Sequence, residues 1–273
     1  MAVITFSREA HSGTQDLARL LAQRLGYRYV SRDELTEAVT ARSGVSREPQ
    51  TGESEGRSLS LWEHLGEHLT GDREAYVTAL KAVITELALA DNVVIVGHGA
   101  GLFLNDMHSV VRVFVVAPMA DRLARLHAEG VDDPARARNL IDQQDRESAA
   151  YLRYLFGVDW LDPHQWDLVI NAGRADLEAA LDMLTQYTQT LVRDRAEHTD
   201  LERKQVVNRL EQALIGADLG IDKLAVSFDG KTLTLQGEAL TQDDRARTEE
   251  LAHSVASQVA VDNQIVLRPP STA

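Results

Sequence analysis

The chain of 273 residues contains no cysteine, and only 5% of its residues are aromatic. The lack of cysteine excludes disulfides, thiol catalysis and zinc sites built from cysteine. With so few aromatic rings, the core is expected to consist mainly of leucine, valine, isoleucine and alanine. No window approaches the roughly 20 apolar residues that a membrane helix needs. The N-terminus lacks the basic start and long apolar stretch of a signal peptide, so a cytoplasmic location without a transmembrane segment is expected.

The formal net charge of −14 argues against nucleic acid or an anionic membrane as the main partner. It leaves room for a small basic pocket, because a nucleotide needs only a few local arginines or lysines. The apolar content of 44% and the charged content of 26% are ordinary for a globular protein.

Short apolar runs alternate with helical patterns up to residue 192, which predicts a parallel sheet covered by helices on both faces. Strands are predicted at 3–6, 27–30, 92–96, 110–116 and 168–171, and helices at 17–25, 32–40, 61–69, 73–90, 121–128, 134–156 and 177–192. The segment 43–60 is rich in serine, glycine and glutamate, which predicts a loop. It is either a tolerated surface insertion or a segment that closes over a substrate.

The remainder of the chain is patterned differently. A charged linker is predicted at 193–203, and a small α+β module at 204–268 in the order helix, strand, strand, helix, strand (αββαβ). Asp229-Gly230 is a hairpin signal between the module's first two strands. The sequence therefore predicts two domains, 1–192 and 204–268.

The first loop, residues 7–14, joins an apolar strand to an amphipathic helix, as phosphate sites of α/β proteins do. Aligned with the phosphate-loop pattern G-x-x-x-x-G-K-[ST], Gly13 takes the second glycine position and Arg8 the first. Thr14 then stands at the lysine position and Gln15 at the position of the metal-binding hydroxyl. The loop keeps the helix N-terminus of such a site but lacks its lysine, for which Arg8 is a candidate substitute.

Two alternatives remain open for the glycine-containing turns. The first loop is also consistent with a plain strand-to-helix turn in which Ser12 caps the helix. The turn Gly97-His98-Gly99 follows the most apolar strand, where glycines let a ligand approach the backbone. The alternative is a tight turn in which His98 is exposed or caps the chain. No zinc site is predicted, because His98 is not accompanied by a further histidine and carboxylates at the spacing of metal ligands.

Four arginines lie on helices that follow strand ends: Arg122, Arg125, Arg146 and Arg153. Phosphoryl transfer needs cations around the moving phosphate. Asp142 and Asp145 share one helix face, where they would hold these arginines or a hydrated magnesium ion. The alternative is a solvated helix with ion pairs such as Asp142 to Arg146.

Four segments of residues 1–192 are distinctive in their order: ITFSREAHSGTQDLARLLAQRLGYRYV, VVIVGHGAGLFL, VVRVFVVAPMADRLARL and IDQQDRESAAYLRYLFGVDWLDPHQWDLVINA. Through these segments, residues 1–192 resemble the cytidylate-kinase-like family of P-loop proteins. It implies a five-stranded parallel sheet and transfer of the ATP γ-phosphate to CMP or a related nucleotide, with Mg²⁺.

The resemblance also implies roles for individual residues. Ser12, Gly13, Thr14 and Gln15 would line the ATP phosphates, and Gly97, His98 and Gly99 would hold the nucleoside monophosphate. Arg122, Arg125, Arg146 and Arg153 would belong to the charge clamp and lid. Together with Asp145, they are the candidate catalytic residues. The sequence departs from the family pattern at His11, Thr14, His98 and Ser148, so a catalytically inactive nucleotide-sensing or scaffold protein is the alternative to an enzyme.

The C-terminal portion resembles the BON domain family through VSFDGKTLTLQGEALTQDDRARTEELAHSVASQVAVDNQIVL. This resemblance implies a binding module. Since no signal peptide is predicted, we expect a protein partner or self-association through the BON-like domain, including assembly of a filament or ring.

Overall fold

A computed structural model describes residues 2–44, 70–191, 195–217 and 219–268, without the side chains of 70–74 and 195–198. The predicted loop at 43–60, apart from its first two residues, and the predicted helix at 61–69 lie outside the described residues. Contacts divide the described chain into two compact units. The first unit contains residues 2–37, 90–191 and 195–197, and the second contains 38–44, 70–89, 198–217 and 219–268.

Up to residue 191 the elements alternate as predicted. They are β1 (Val3–Arg8), α1 (Thr14–Leu25), β2 (Arg28–Val30), α2 (Arg32–Ser43), α3 (Thr70–Ala90), β3 (Val93–Val96), α4 (Ala100–Phe103), β4 (Val110–Val116), α5 (Met119–Ala128), α6 (Pro134–Phe156), a 3₁₀ helix (Pro163–Gln165), β5 (Leu168–Asn171) and α7 (Leu177–Thr190). The helix α4 was not predicted, since four residues are too few to show a helical period.

Five parallel strands form the sheet of the first unit, in the order β2-β3-β1-β4-β5. The prediction of a parallel α/β sheet is confirmed. Leu17, Leu21 and Leu184 belong to the buried core cluster that also includes β-strand residues. β1 extends two residues beyond the prediction, because Ser7 and Arg8 continue the pairing with β4. All strands are parallel, so their carboxyl ends meet at one edge of the sheet.

The second unit has its own mixed sheet. Its C-terminal elements are α8 (Arg195–Gly216) from residue 198 onward, β6 (Ile221–Phe228), β7 (Thr232–Ala239), α9 (Gln242–Val255), β8 (Ala260–Asn263) and β9 (Val266–Leu267). β6 is antiparallel to β7, and β8 and β9 are both parallel to β7. The hairpin at Asp229-Gly230 is confirmed: the Asp229 carboxylate accepts the N–H groups of Lys231 and Thr232.

Two details of the C-terminal part differ from the expected pattern. The predicted linker at 193–203 is helical from Arg195 onward, since α8 begins there. The predicted final strand is divided after Asn263, whose Oδ1 accepts the N–H of Ile265 at 3.1 Å. The domain boundaries stay a prediction.

Parts of α2 and α3 belong to the second unit. Asn208 on α8 donates to Thr85 Oγ1 on α3 at 3.1 Å, and both side chains are buried. Arg42 at the end of α2 contacts Glu86 at 2.6 Å and Gln212 at 3.0 Å. The second unit is therefore not confined to the C-terminal module. Within the described residues, every helix is too short or too polar to cross a membrane.

Candidate functional site

The first loop turns the chain from β1 into α1 through two left-handed residues, His11 (φ 56°) and Gly13 (φ 85°). Gly13 precedes the helix without a side-chain cap. The first N–H groups of a helix have no partner within it, and they carry the positive end of the helix dipole. The backbone therefore has the form of an anion site at this point.

Ser12 and Thr14 fill the interior of the first loop. Their hydroxyl oxygens are 2.8 Å apart, and both residues are almost completely buried. The alternative in which Ser12 caps α1 is wrong, because its hydroxyl bonds to the side chain of Thr14 rather than to a helix N–H. Gln15 is exposed in the first turn of the helix.

Arg125 from α5 lies against the first loop. A β-carbon added to Gly13 would be 2.6 Å from Cζ of Arg125 and 2.7 Å from each terminal nitrogen. These nearly equal distances put the plane of the guanidinium against the glycine. The Nε atom of Arg125 is buried without a hydrogen-bond partner among the described residues. A cation thus contacts the loop at the residue before the missing lysine.

Arg122 and Asp145 connect the first loop to two helices. The buried guanidinium of Arg122 donates to Asp145 Oδ2 and, through Nε, to the carbonyl of Ala10 at 2.7 Å. Asp145 Oδ1 accepts the N–H of Ala10 at 2.8 Å. Glu9 lies 3.6 Å from Arg122 and accepts the N–H of Ala117. Arg122 and Asp145 therefore fix the shape of the loop. The Nε and Nη2 donors of Arg122 and both carboxylate oxygens of Asp145 are engaged in these hydrogen bonds.

The turn after β3 contains three successive left-handed residues, Gly97, His98 and Gly99. His98 is not simply exposed: its Nε2 lies 2.9 Å from the hydroxyl of Thr36 on α2. A β-carbon at Gly99 would be 2.7 Å from the Phe156 ring at the end of α6. The turn is thus enclosed by α2 and α6.

Arg146 and Arg153 lie apart from these contacts. Both are exposed on α6. The Nε of Arg146 donates to the backbone carbonyl of Asp142, so a side-chain-to-backbone bond takes the place of the alternative ion pair with the Asp142 carboxylate. Within the described part of the chain, neither arginine forms an ion pair.

Two residues at this edge were missed in the sequence. Arg32 begins α2 directly after β2, and its Cγ would be 3.4 Å from a β-carbon on Gly97. Thr36 follows one turn later and contacts His98. Their position in the sequence indicates this placement, because polar residues that follow a parallel strand lie at the same edge of the sheet as the first loop.

Comparison with known proteins agrees with this fold. The model of the cytidylate kinase-like family matches residues 3–174. A cytidylate kinase of Desulfurococcus amylolyticus is 26% identical over 197 residues, covering 71% of this chain and 97% of the relative. A cytidylate kinase of Ignicoccus hospitalis is 27% identical over 187 residues, covering 67% of this chain and 97% of the relative.

A solved structure has the same fold. An uncharacterized protein from Eubacterium ventriosum superimposes with a TM-score of 0.54 at 21% identity, covering 70% of this chain and 99% of its own. The family model spans more than half of the sequence and includes the first loop, the turn after β3, and α6. This chain belongs to the cytidylate kinase-like family.

Proposed function

We propose that the chain is a kinase that transfers the γ-phosphate of ATP to a nucleoside monophosphate, with CMP as the first candidate. The observation that carries the proposal is the guanidinium of Arg125 against Gly13 at the N-terminus of α1. This arrangement supplies a cation where the loop lacks its lysine. CMP is chosen because the two named relatives are cytidylate kinases.

The described residues fit the phosphates of ATP. The free N–H groups of α1 and the terminal nitrogens of Arg125 are donors for phosphate oxygens. Arg125 also has a buried Nε without a partner, so a bound anion would lower the cost of its burial. Arg122 and Asp145 hold the loop in place and are positioning residues in this proposal.

Mg²⁺ fits the site less directly. Gln15 offers no hydroxyl, the hydroxyls of Ser12 and Thr14 bond to each other, and Asp145 is engaged with Arg122. Mg²⁺ retains water and is often bound through substrate phosphates. We therefore propose that it arrives with ATP, where it neutralises the charge of the phosphates.

Titration calorimetry with Mg-ATP tests the phosphate site. We expect Arg125→Gln to bind ATP at least about tenfold more weakly than the wild type, because a charge-assisted contact is lost. Arg138→Gln is the matched control, since Arg138 is exposed on α6. Equal ATP affinities of the wild type and Arg125→Gln would reject the role of Arg125.

The second candidate is a catalytically inactive nucleotide sensor or scaffold. It is favoured by the Ser12–Thr14 hydroxyl pair, which occupies the interior where a functional phosphate loop has its lysine. A sensor would bind ATP without forming ADP when CMP and Mg²⁺ are present. A scaffold would bind no nucleotide at all.

We further propose that the C-terminal module is BON-like and binds a protein partner or a second copy of the chain. The order of its elements, αββα followed by a final strand divided into β8 and β9, and its separate mixed sheet support this proposal. Light scattering of the full chain over a concentration series tests self-association. A constant monomer mass over the series would reject self-association and leave a protein partner as the proposal. The cytoplasmic location stays a prediction.

A further inference from the structure

Two arginines that the kinase proposal does not yet use lie at the carboxyl edge of the sheet. Arg8 is the last residue of β1, and Arg32 follows β2. β3 lies between these strands, and Gly97, the first residue after β3, connects the two sides. The N–H of Gly97 donates to Phe6 on β1 at 2.8 Å, and the stem of Arg32 packs against Gly97.

The donors of both guanidinium groups are unused. An arginine carries five N–H donors. Among the described residues, the side chains of Arg8 and Arg32 form no hydrogen bond or ion pair, in contrast to the side chain of Arg122 at the same edge. Arg8 is partly buried, and a guanidinium withdrawn from water without an acceptor is costly, so an anion would supply the acceptor. Arg32 is exposed, so its donors are open to a ligand.

The charges around Arg8 agree with this geometry. Burial, and then the nearby charge of Arg32, lower the pKa of Arg8 to about 10, while Asp145 and Asp33 oppose the shift. Arg8 therefore remains a cation at neutral pH, adjacent to a second cation. Asp145 does not neutralise it by a direct hydrogen bond, because that carboxylate is bound to Arg122 and Ala10.

We propose that Arg8 and Arg32 together bind the phosphate group of the acceptor, a phosphate monoester. This inference rests on the proposed kinase function for the identity of the acceptor, but not for the anion site itself. A phosphate monoester carries a charge of about −1.5 to −2 at pH 7 and three acceptor oxygens, which suits two guanidinium groups. The pair thus selects acceptors with a phosphate over the uncharged nucleoside. In this assignment Arg8 serves the acceptor, rather than the phosphates of ATP.

Calorimetry with CMP, cytidine and inorganic phosphate tests the pair. We expect the wild type to bind CMP at least about tenfold more tightly than cytidine, and Arg32→Gln to lose this preference while its ATP affinity is unchanged. Arg28→Gln is the matched control, because it removes the same charge from an exposed residue that pairs with Glu34. Arg8→Gln is the second variant, with thermal melting to verify its folding.

The outcomes separate the pair from the kinase proposal. Equal CMP affinity in the wild type and Arg32→Gln overturns the pair and leaves the kinase proposal standing. Binding of inorganic phosphate but not CMP, lost in Arg32→Gln, supports the anion site and rejects a nucleotide acceptor. A wild type that binds neither CMP nor inorganic phosphate overturns the pair.

Discussion

The guanidinium of Arg122 donates to the carboxylate of Asp145, whose other oxygen accepts the N–H of Ala10. One carboxylate thus joins α5, α6 and the first loop. Arg122 is only 4% exposed, and Asp145 is the nearest countercharge to its buried guanidinium. The shape of the loop is therefore controlled by a residue more than 130 positions further along the chain.

Replacing Asp145 by asparagine tests this dependence. We expect Asp145→Asn to lower the free energy of unfolding by about 2 kcal/mol, because the buried cation loses its nearest countercharge. Urea denaturation measures the change. Asp142→Asn is the control on the same helix, and its effect should stay within about 0.5 kcal/mol. Equal losses in both variants would contradict the importance of the Arg122–Asp145 pair.

Gly13 and Gly26 allow backbone strain to be separated from ligand binding. Both have positive φ, but a β-carbon at Gly13 would meet Arg125, while one at Gly26 meets nothing within 4 Å. We expect Gly13→Ala and Gly26→Ala each to lower the free energy of unfolding by about 1–2 kcal/mol, the cost of a left-handed backbone at a residue with a β-carbon. The losses should be similar, because the guanidinium of Arg125 can move aside at Gly13. ATP affinity should fall only in Gly13→Ala. An equal loss of affinity in Gly26→Ala would show that strain alone is responsible.

Periodicity predicted most elements of the fold. β4, α6 and β5 begin and end where the sequence predicted them, since apolar runs and helical spacing are local signals. The extension of β1 to Arg8 was missed, because it depends on pairing with β4. The assignment of α3 to the second unit also depends on distant contacts, such as the one between Thr85 and Asn208.

The buried contact between Asn208 and Thr85 predicts that a negative charge at residue 208 lowers the stability of the second unit. We expect Asn208→Asp to destabilise this unit by about 2–3 kcal/mol, because a carboxylate would be buried opposite a hydroxyl that already donates to Lys81. Gln205→Glu makes the same chemical change one turn earlier on α8, where the side chain is half-buried. Thermal melting should distinguish the two variants, and identical melting temperatures would contradict the contact.

The N-terminus of α9 predicts a response of the second unit to acid. Asp244 and Thr241 form a reciprocal cap, and the hydrogen bond from Thr241 lowers the pKa of Asp244 below its ordinary value of 3.8. Its stabilising effect is therefore present above that value and is lost as the pH falls through the lower pKa of the folded state. Asp244→Asn should melt with a smaller difference between pH 6 and pH 3 than the wild type.

Asp243→Asn is the control for the cap, because it removes a carboxylate from the same turn without touching the reciprocal bonds. If both variants change the acid response equally, the effect belongs to the charge of the turn and not to the cap.

The candidate site was predictable only in part. Gly13, Arg122 and Arg125 were recognised because glycine-containing turns and arginines are visible in a sequence. The contact of Arg125 with Gly13 was not, because it depends on the packing of α5 against the loop. Arg146 and Arg153 carry the same charge but lie exposed, which spacing along α6 alone does not reveal.

The most direct test of the kinase proposal is a chromatographic assay of ADP and CDP after the wild type is incubated with ATP, CMP and Mg²⁺. The proposal predicts that ADP and CDP form in equal amounts, and that Arg125→Gln lowers the rate at least about a hundredfold, as the loss of a charge-stabilising donor does. Arg138→Gln should retain the wild-type rate. ATP binding without formation of CDP, or a rate unchanged in Arg125→Gln, would contradict the proposal.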